Sequence, residues 1–134
     1  MNKQPLFPLL TVVTIDDSPL IAERMDSILR EIDNVSFLGN AFCILSAQNL
    51  INEVKPDVVI LDIHLEKNAN SKTGIDLLVE IRENYPEMKV IIFTNHDEPH
   101  YRTICLEKGA DYFLDKSTDS NKIYEILEQW TIKK

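Results

Sequence analysis

The run Val58-Val59-Ile60-Leu61-Asp62 constrains the fold of this chain more than any other stretch. Four consecutive apolar residues, three of them β-branched, are typical of a strand that is buried on both faces, as in a parallel sheet. The run ends at a carboxylate, which an apolar environment solvates poorly. Ligands of open parallel sheets bind at the carboxyl ends of the strands, so Asp62 is the first candidate for chemistry. Considered alone, an Asp in this position more often caps a turn.

Apolar runs and helical spacing alternate along the rest of the chain. Buried strands are predicted at residues 9–15, 35–42, 58–61, 90–93 and 112–114. Helices are predicted after the Ser18-Pro19 cap, over residues 46–54 behind a Ser46 cap, from Ile75 to Tyr85, and over residues 97–108 and 118–131. Because parallel strands need crossover connections, this order predicts an α/β fold, with a parallel five-stranded sheet and five helices on its two faces.

Size, charge and cysteine content limit what the chain can be. Its 134 residues are the usual size of one domain, so we expect a single domain over residues 1–134 with an ordered core at about 9–131. The net charge of -8 disfavours direct contact with nucleic acid. No apolar run is long enough to cross a bilayer and no signal-peptide cleavage site is present, so we expect a cytoplasmic protein without a membrane partner. Cys43 and Cys105 lack metal-ligand spacing, and each is expected to be a buried thiol.

Five polar residues follow or end four of the predicted strands, and parallel strands would bring them to one edge of the sheet. Asp16 and Asp17 follow the first strand, Asp62 the third, Thr94 the fourth and Lys116 the fifth. Carboxylates about 4 Å apart repel each other by on the order of 4 kcal/mol per pair at an effective dielectric near 20, so the cluster needs a cation. Oxygen ligands with room for water favour Mg²⁺. Lys116 and Thr94 could then neutralise phosphoryl oxygens around a nucleophilic Asp62.

With these five residues in these places, the chain resembles the receiver domain of two-component response regulators (the CheY-like family) over nearly its whole length. The resemblance implies a flavodoxin-like, doubly wound parallel sheet. It implies that Asp62 accepts a phosphoryl group from the phosphohistidine of a sensor histidine kinase or phosphotransfer protein, or from a small phosphodonor. It also implies that Mg²⁺ is bound by Asp16, Asp17, Asp62 and the backbone carbonyl of His64, and that the phosphoryl group is later lost to water.

The same resemblance implies a switch. Lys116 would contact the phosphoryl group, while Thr94 and Phe113 would move together and remodel the surface of the fourth and fifth helices. That surface would bind a downstream effector protein or a second copy of the chain. Phe113 as plain core is an equal alternative. The domain would catalyse its own phosphorylation and dephosphorylation without turning over a separate substrate, which leaves open whether to class it as an enzyme.

The chain departs from the family pattern in several places. Glu66 stands where a Pro is usual, and Gly74 comes later than the usual Gly, so we expect a short loop insertion between them. Asn95 replaces a small residue and could crowd the phosphoryl pocket. Ser117 replaces the Pro that commonly follows the Lys, so no cis peptide is expected there. The residues at 131–134 favour a complete single-domain regulator over an excised piece of a longer one.

Other function classes remain open at this point. A non-catalytic interaction module with the same fold would usually lack the Asp or the Lys, and neither is missing here. A phosphohydrolase with an aspartyl nucleophile would need a second Asp at the position of His64. Nucleotide or flavin binding lacks support because no Gly-rich loop exists among three glycines. His64 and His96 could tune hydrolysis, and exposed histidines without a role are the alternative.

Overall fold

The computed structural model describes residues 8–65, 72–95 and 99–133. The strands are β1 (Leu10–Ile15), β2 (Val35–Ala41), β3 (Val58–Leu61), β4 (Lys89–Thr94) and β5 (Tyr112–Asp115). The helices are α1 (Pro19–Arg30), α2 (Ile44–Val54), α3 (Gly74–Asn84), α4 (Pro99–Glu107) and α5 (Ser120–Lys133). Glu66, His96 and residues 67–71 of the predicted insertion lie outside the described residues.

All five strands are parallel and pair in the order β2-β1-β3-β4-β5. This order is that of the flavodoxin-like doubly wound sheet, and it confirms the predicted fold class. The order reverses between β1 and β3, which is where ligands of such sheets bind. The strand that ends before Asp62 therefore lies at the centre of the sheet, beside the strand that ends before Asp16.

Each face of the sheet carries its own apolar core. Along β3, Val59 and Leu61 point to the core that α2 and α3 cover, and Val58 and Ile60 point to the core that α1 and α5 cover. Side chains alternate between the two faces of a strand, so a strand that is covered on both faces must be apolar at every position. This explains the uninterrupted apolar run before Asp62.

The second helix begins earlier than the sequence predicts. It starts at Ile44, with Cys43 in the N-cap position, so Ser46 lies in its first turn and is not the cap. The Ser46 hydroxyl instead accepts a hydrogen bond from the Cys43 N–H at 3.3 Å. Ile44 is buried in the core and Cys43 is exposed, so the helix begins where its first apolar residue packs against the sheet. The prediction of a buried thiol is consequently wrong for Cys43, which is exposed, and confirmed for Cys105.

The edge strand β2 contains a bulge. Val12 on β1 pairs with Phe37 and Val13 pairs with Gly39, so Leu38 is the extra residue on β2. Gly39 has a φ of +143°, which an L side chain rarely adopts. After the bulge, the register places Asn40 opposite Thr14 at the carboxyl ends of both strands.

The ends of other helices agree with their sequence signals to within a few residues. The Ser18 hydroxyl accepts a hydrogen bond from the Ile21 N–H at 3.3 Å, and Pro19 begins α1, as predicted. The last helix starts at Ser120, two residues later than expected. The residues before it form a turn, in which the Asp119 carboxylate accepts a hydrogen bond from the N–H of Asp115. In the described part of the chain, no cis peptide bond occurs, and no helix combines the length and apolarity that a bilayer crossing requires.

Candidate functional site

The parallel topology brings the five predicted polar residues together at the carboxyl edge of the sheet. Asp16 and Asp17 follow β1, Asp62 follows β3, Thr94 ends β4, and Lys116 follows β5. The N–H of Asp62 donates to the Ile15 carbonyl, and the N–H of Lys116 donates to the Thr94 carbonyl, each at 3.0 Å, so backbone pairing carries the strand order past the strand ends. The five side chains line a depression of about 270 Å³.

Asp62 lines this depression and is only 7% exposed. Its Oδ2 atom is 2.9 Å from the ammonium nitrogen of Lys116. Its Oδ1 atom accepts hydrogen bonds from the Thr94 hydroxyl at 2.9 Å and from the His64 N–H at 3.0 Å. Both carboxylate oxygens are thus held in fixed directions, and a positive charge and a hydroxyl donor lie within contact distance of them.

Lys116 also contacts Asp16, whose Oδ2 atom lies 2.5 Å from the ammonium. Burial acts to lower the pKa of Lys116, but the hydrogen bonds to Asp16 and Asp62 outweigh it and raise the pKa above its usual value. The lysine therefore stays charged. Burial raises the pKa of Asp16, against the hydrogen bonds from Lys116 and from the Ser18 N–H at 2.9 Å.

Asp16, Asp17 and Asp62 form a set of oxygen donors that fits a small, hard cation. Each offers one carboxylate oxygen, and these atoms all lie within 4.8 Å of one another. Three carboxylates face one ammonium, so negative charge remains in excess, and the raised pKa of Asp16 reflects the cost of holding that charge in a buried place. The donor chemistry fits Mg²⁺, which binds through one or two carboxylates and keeps several waters. The backbone carbonyl of His64 as a further ligand stays a prediction.

Thr94 and Phe113 lie on neighbouring strands behind this site. Thr94 is fully buried, and its hydroxyl donates to Asp62. Phe113 is 4% exposed and belongs to the core on the α2 and α3 face, with the Arg102 guanidinium carbon of α4 at 5.2 Å from the centre of its ring. The aromatic ring thus links β5 to α4. Its role in a switch stays a prediction.

The roles of Gly74 and Asn40 in the site are not among the predictions made from the sequence. A Cβ atom on Gly74 would lie 2.4 Å from the Ile63 Cα and 2.5 Å from the Asp62 carbonyl oxygen, so α3 can approach the backbone of the Asp62 loop only with glycine there. The displaced glycine at the end of the insertion was the available signal. Asn40 lies within the predicted second strand, and its side chain reaches the Asp16 carbonyl oxygen. Asn95, predicted to crowd the pocket, is exposed and lines the depression.

Comparison with known proteins identifies a family for the chain. The response regulator receiver domain family matches residues 12–128 of the chain. The transcriptional regulatory protein DegU of Brevibacillus brevis is 27% identical over 128 residues, which are 96% of this chain and 52% of DegU. An uncharacterized response regulatory protein of Vibrio vulnificus is 30% identical over 122 residues, covering 90% of this chain and 47% of its own length.

Solved structures show the same fold. A DNA-binding response regulator of the LuxR family from Staphylococcus aureus has a TM-score of 0.80 at 26% identity, covering 90% of this chain and 98% of the solved chain. A LuxR-family response regulator from Aurantimonas has a TM-score of 0.82 at 22% identity, covering 94% and 87%. The chain belongs to the receiver domain family of two-component response regulators. It spans about half the length of the curated relatives it matches.

Proposed function

We propose that Asp62 accepts a phosphoryl group from the phosphohistidine of a sensor histidine kinase or a phosphotransfer protein, in a reaction that requires Mg²⁺. The observation that carries this proposal is the surroundings of one buried carboxylate. Asp62 has the Lys116 ammonium at 2.9 Å and carboxylate oxygens of Asp16 and Asp17 within 4.8 Å. A nucleophile, a fixed positive charge and a set of cation ligands thus meet in one depression.

The chemistry follows from these groups. One carboxylate oxygen of Asp62 forms the bond to phosphorus while the bond between phosphorus and the donor's imidazole nitrogen breaks, and the imidazole leaves with that electron pair. Lys116 and Thr94 lie where they can donate to phosphoryl oxygens as charge moves between donor and acceptor. Mg²⁺ bound by Asp16, Asp17 and Asp62 would neutralise part of the phosphoryl charge. Attack by water on the resulting aspartyl phosphate would release inorganic phosphate and end the signal.

We further propose that phosphorylation changes the surface formed by α4, β5 and α5. The Thr94 hydroxyl, which contacts Asp62, can turn to a phosphoryl oxygen instead. Thr94 pairs with Asp115 on β5, two residues beyond Phe113, and Phe113 in turn contacts Arg102 on α4. These contacts connect β5, the strand that pairs with Thr94, to α4 and support transmission from the acceptor to that helix. The occupant of the changed surface would be an effector protein or a second copy of the chain.

Nucleic acid is a partner to consider, because the similar proteins include regulators of transcription. Two of the similar proteins are named as a transcriptional regulatory protein and as a DNA-binding response regulator. We propose that the receiver domain itself does not bind nucleic acid, because its net charge of -8 would repel a phosphate backbone. Gel-shift measurements at low salt with unrelated duplexes test this point, and a shift by the 134 residues alone would contradict it.

Mass spectrometry of the intact protein tests the phosphoacceptor. The wild-type protein is incubated with Mg²⁺ and a small phosphodonor, acetyl phosphate or phosphoramidate, and we expect a gain of one phosphoryl group. Asp62→Asn should show no gain, because the amide cannot act as the nucleophile. The matched control is Asp33→Asn, an exposed carboxylate outside the site, which should gain the group like the wild type. Absence of any gain in the wild type with both donors would contradict the proposal and favour an interaction module.

A further inference from the structure

A polar pair lies between β1 and β2, directly behind the acidic residues. Thr14 on β1 is 1% exposed, and its hydroxyl donates to Asn40 Oδ1 on β2 at 2.6 Å. The Asn40 amide nitrogen donates in turn to the backbone carbonyl of Asp16 at 3.2 Å. Buried polar groups are costly unless they are paired, so the buried Thr14 hydroxyl needs the partner that the half-buried Asn40 amide provides.

The chemistry of the three groups fixes the orientation of the Asn40 side chain. A backbone carbonyl can only accept a hydrogen bond, so the amide nitrogen of Asn40 must face Asp16. The amide oxygen then faces Thr14, whose hydroxyl can donate. The N–H of Asp16 also donates to the Ala41 carbonyl at 3.0 Å. The end of β2 thus holds both backbone groups of Asp16.

The hydrogen bond from Asn40 to the Asp16 carbonyl also affects the position of Asp17. The carbonyl of Asp16 and the N–H of Asp17 belong to one planar peptide group, so a hydrogen bond to that carbonyl sets the tilt of the whole plane. The direction in which the Asp17 side chain leaves the backbone depends on this tilt. Asp16 itself has further restraints at its carboxylate, from Lys116 and from the Ser18 N–H.

We propose that Asn40 is a positioning residue for the cation site: oriented by Thr14, it fixes the peptide between Asp16 and Asp17 and so places the Asp17 carboxylate for metal binding. This inference rests on the proposed function, since it assumes that the acidic residues bind a divalent cation. The proposal also assigns a role to the bulge in β2. The bulge sets the register that places Asn40 opposite Thr14. Thr14 acts on the site only through Asn40.

Binding of Mn²⁺ tests the proposal without any catalytic step, since Mn²⁺ shares the oxygen ligands of Mg²⁺ and its free form is counted by electron paramagnetic resonance. We expect Asn40→Ala to weaken Mn²⁺ binding by about fivefold, the effect of losing one neutral hydrogen bond. Thr14→Val keeps the shape of the buried side chain and should weaken binding by a smaller factor. The double variant should bind no more weakly than Asn40→Ala, because the two residues act in series.

The matched control is Thr11→Val. Thr11 also lies on β1, and its hydroxyl donates a hydrogen bond to the Asp57 carboxylate at 3.0 Å. This pair lies at the opposite end of the sheet from the acidic residues. Thr11→Val and Thr14→Val should both lower the melting temperature, whereas only Thr14→Val should change the Mn²⁺ affinity. Wild-type affinity in both Asn40→Ala and Thr14→Val would overturn the inference while leaving the proposed function intact. Absence of Mn²⁺ binding in the wild-type protein would overturn both.

Discussion

At the scale of single residues, the ammonium of Lys116 contacts two buried carboxylates at once, those of Asp16 and Asp62. All three side chains are 7–8% exposed in these ion pairs, so solvent screens them little. Removal of one partner from a buried ionic group leaves the others uncompensated, and this costs far more than the loss of a surface ion pair. The lysine therefore serves folding as well as the proposed chemistry.

We expect Lys116→Met to lower the free energy of unfolding by about 3 kcal/mol at neutral pH in a metal-free buffer. The loss should shrink as the pH falls, because without Lys116 burial raises the pKa of Asp16 further, and the folded variant then takes up a proton before the unfolded chain does. Urea unfolding at several pH values measures both effects. The control is Lys122→Met, whose side chain is 60% exposed beside Asp119, and it should change little. Equal losses in the two variants would contradict the prediction.

The buried thiol of Cys105 should make stability fall at alkaline pH. Burial raises the pKa of Cys105 to about 11, against 9.0 for a free thiol. Between these two values the unfolded chain releases the proton and the folded chain retains it, so the free energy of unfolding should fall by about 1.4 kcal/mol per pH unit. Denaturant unfolding of Cys105→Ala should lack this part of the slope. The exposed Cys43 offers the control, since Cys43→Ala should keep the wild-type decline.

At the scale of elements, the start of α3 fits against the backbone that carries the proposed acceptor, Asp62. Gly74→Ala would place a methyl group 2.4 Å from the Ile63 Cα, so either the helix or the loop after Asp62 must move. We expect a loss of about 2 kcal/mol in unfolding free energy together with weaker cation binding at the displaced site. Chemical denaturation and Mn²⁺ titration measure these. Glu83→Ala, at an exposed position of the same helix, should leave both unchanged. Normal cation binding by Gly74→Ala would show that the loop tolerates the shift.

The elements themselves could be predicted where local signals agree with packing. Ser18 and Pro19 mark the start of α1 because a hydroxyl cap and a fixed φ act within one turn. The start of α2 could not be predicted in the same way. Its position depends on the burial of Ile44 against the sheet, which overrides the Ser46 signal and is a tertiary effect. The bulge at Leu38 likewise follows from the pairing of β2 with β1.

At the scale of the whole molecule, a cation bound at the site should stabilise the folded state. The three carboxylates are close together only in the folded chain, so the unfolded chain binds the cation more weakly. At constant ionic strength, Mg²⁺ at one hundred times its dissociation constant should add about 2.7 kcal/mol to the free energy of unfolding, and a chelator should remove this gain. Thermal unfolding across a Mg²⁺ titration measures it. Asp17→Asn should reduce the gain and the exposed Asp33→Asn should not. An equal gain in both variants would point to non-specific binding.

The convergence of the site could be predicted from the sequence because it depends on topology alone. Once the strands are parallel, residues such as Asp62 and Lys116 must emerge at one edge, whatever the details of the packing. The contributions of Gly74 and Asn40 could not be predicted, because each depends on how closely one backbone approaches another. Sequence patterns report such distances only indirectly.

The strand order also decides how the site would come apart. Asp62 follows the central strand β3, which has a neighbour on each side, whereas Lys116 follows β5 at the margin of the sheet. Outer strands fray more readily than inner ones, so hydrogen exchange should be faster in β5 than in β3. A molecule that has loosened at β5 would keep its nucleophile in place and lose the lysine. Transient opening would thus suspend the proposed phosphoryl transfer before the whole fold is lost.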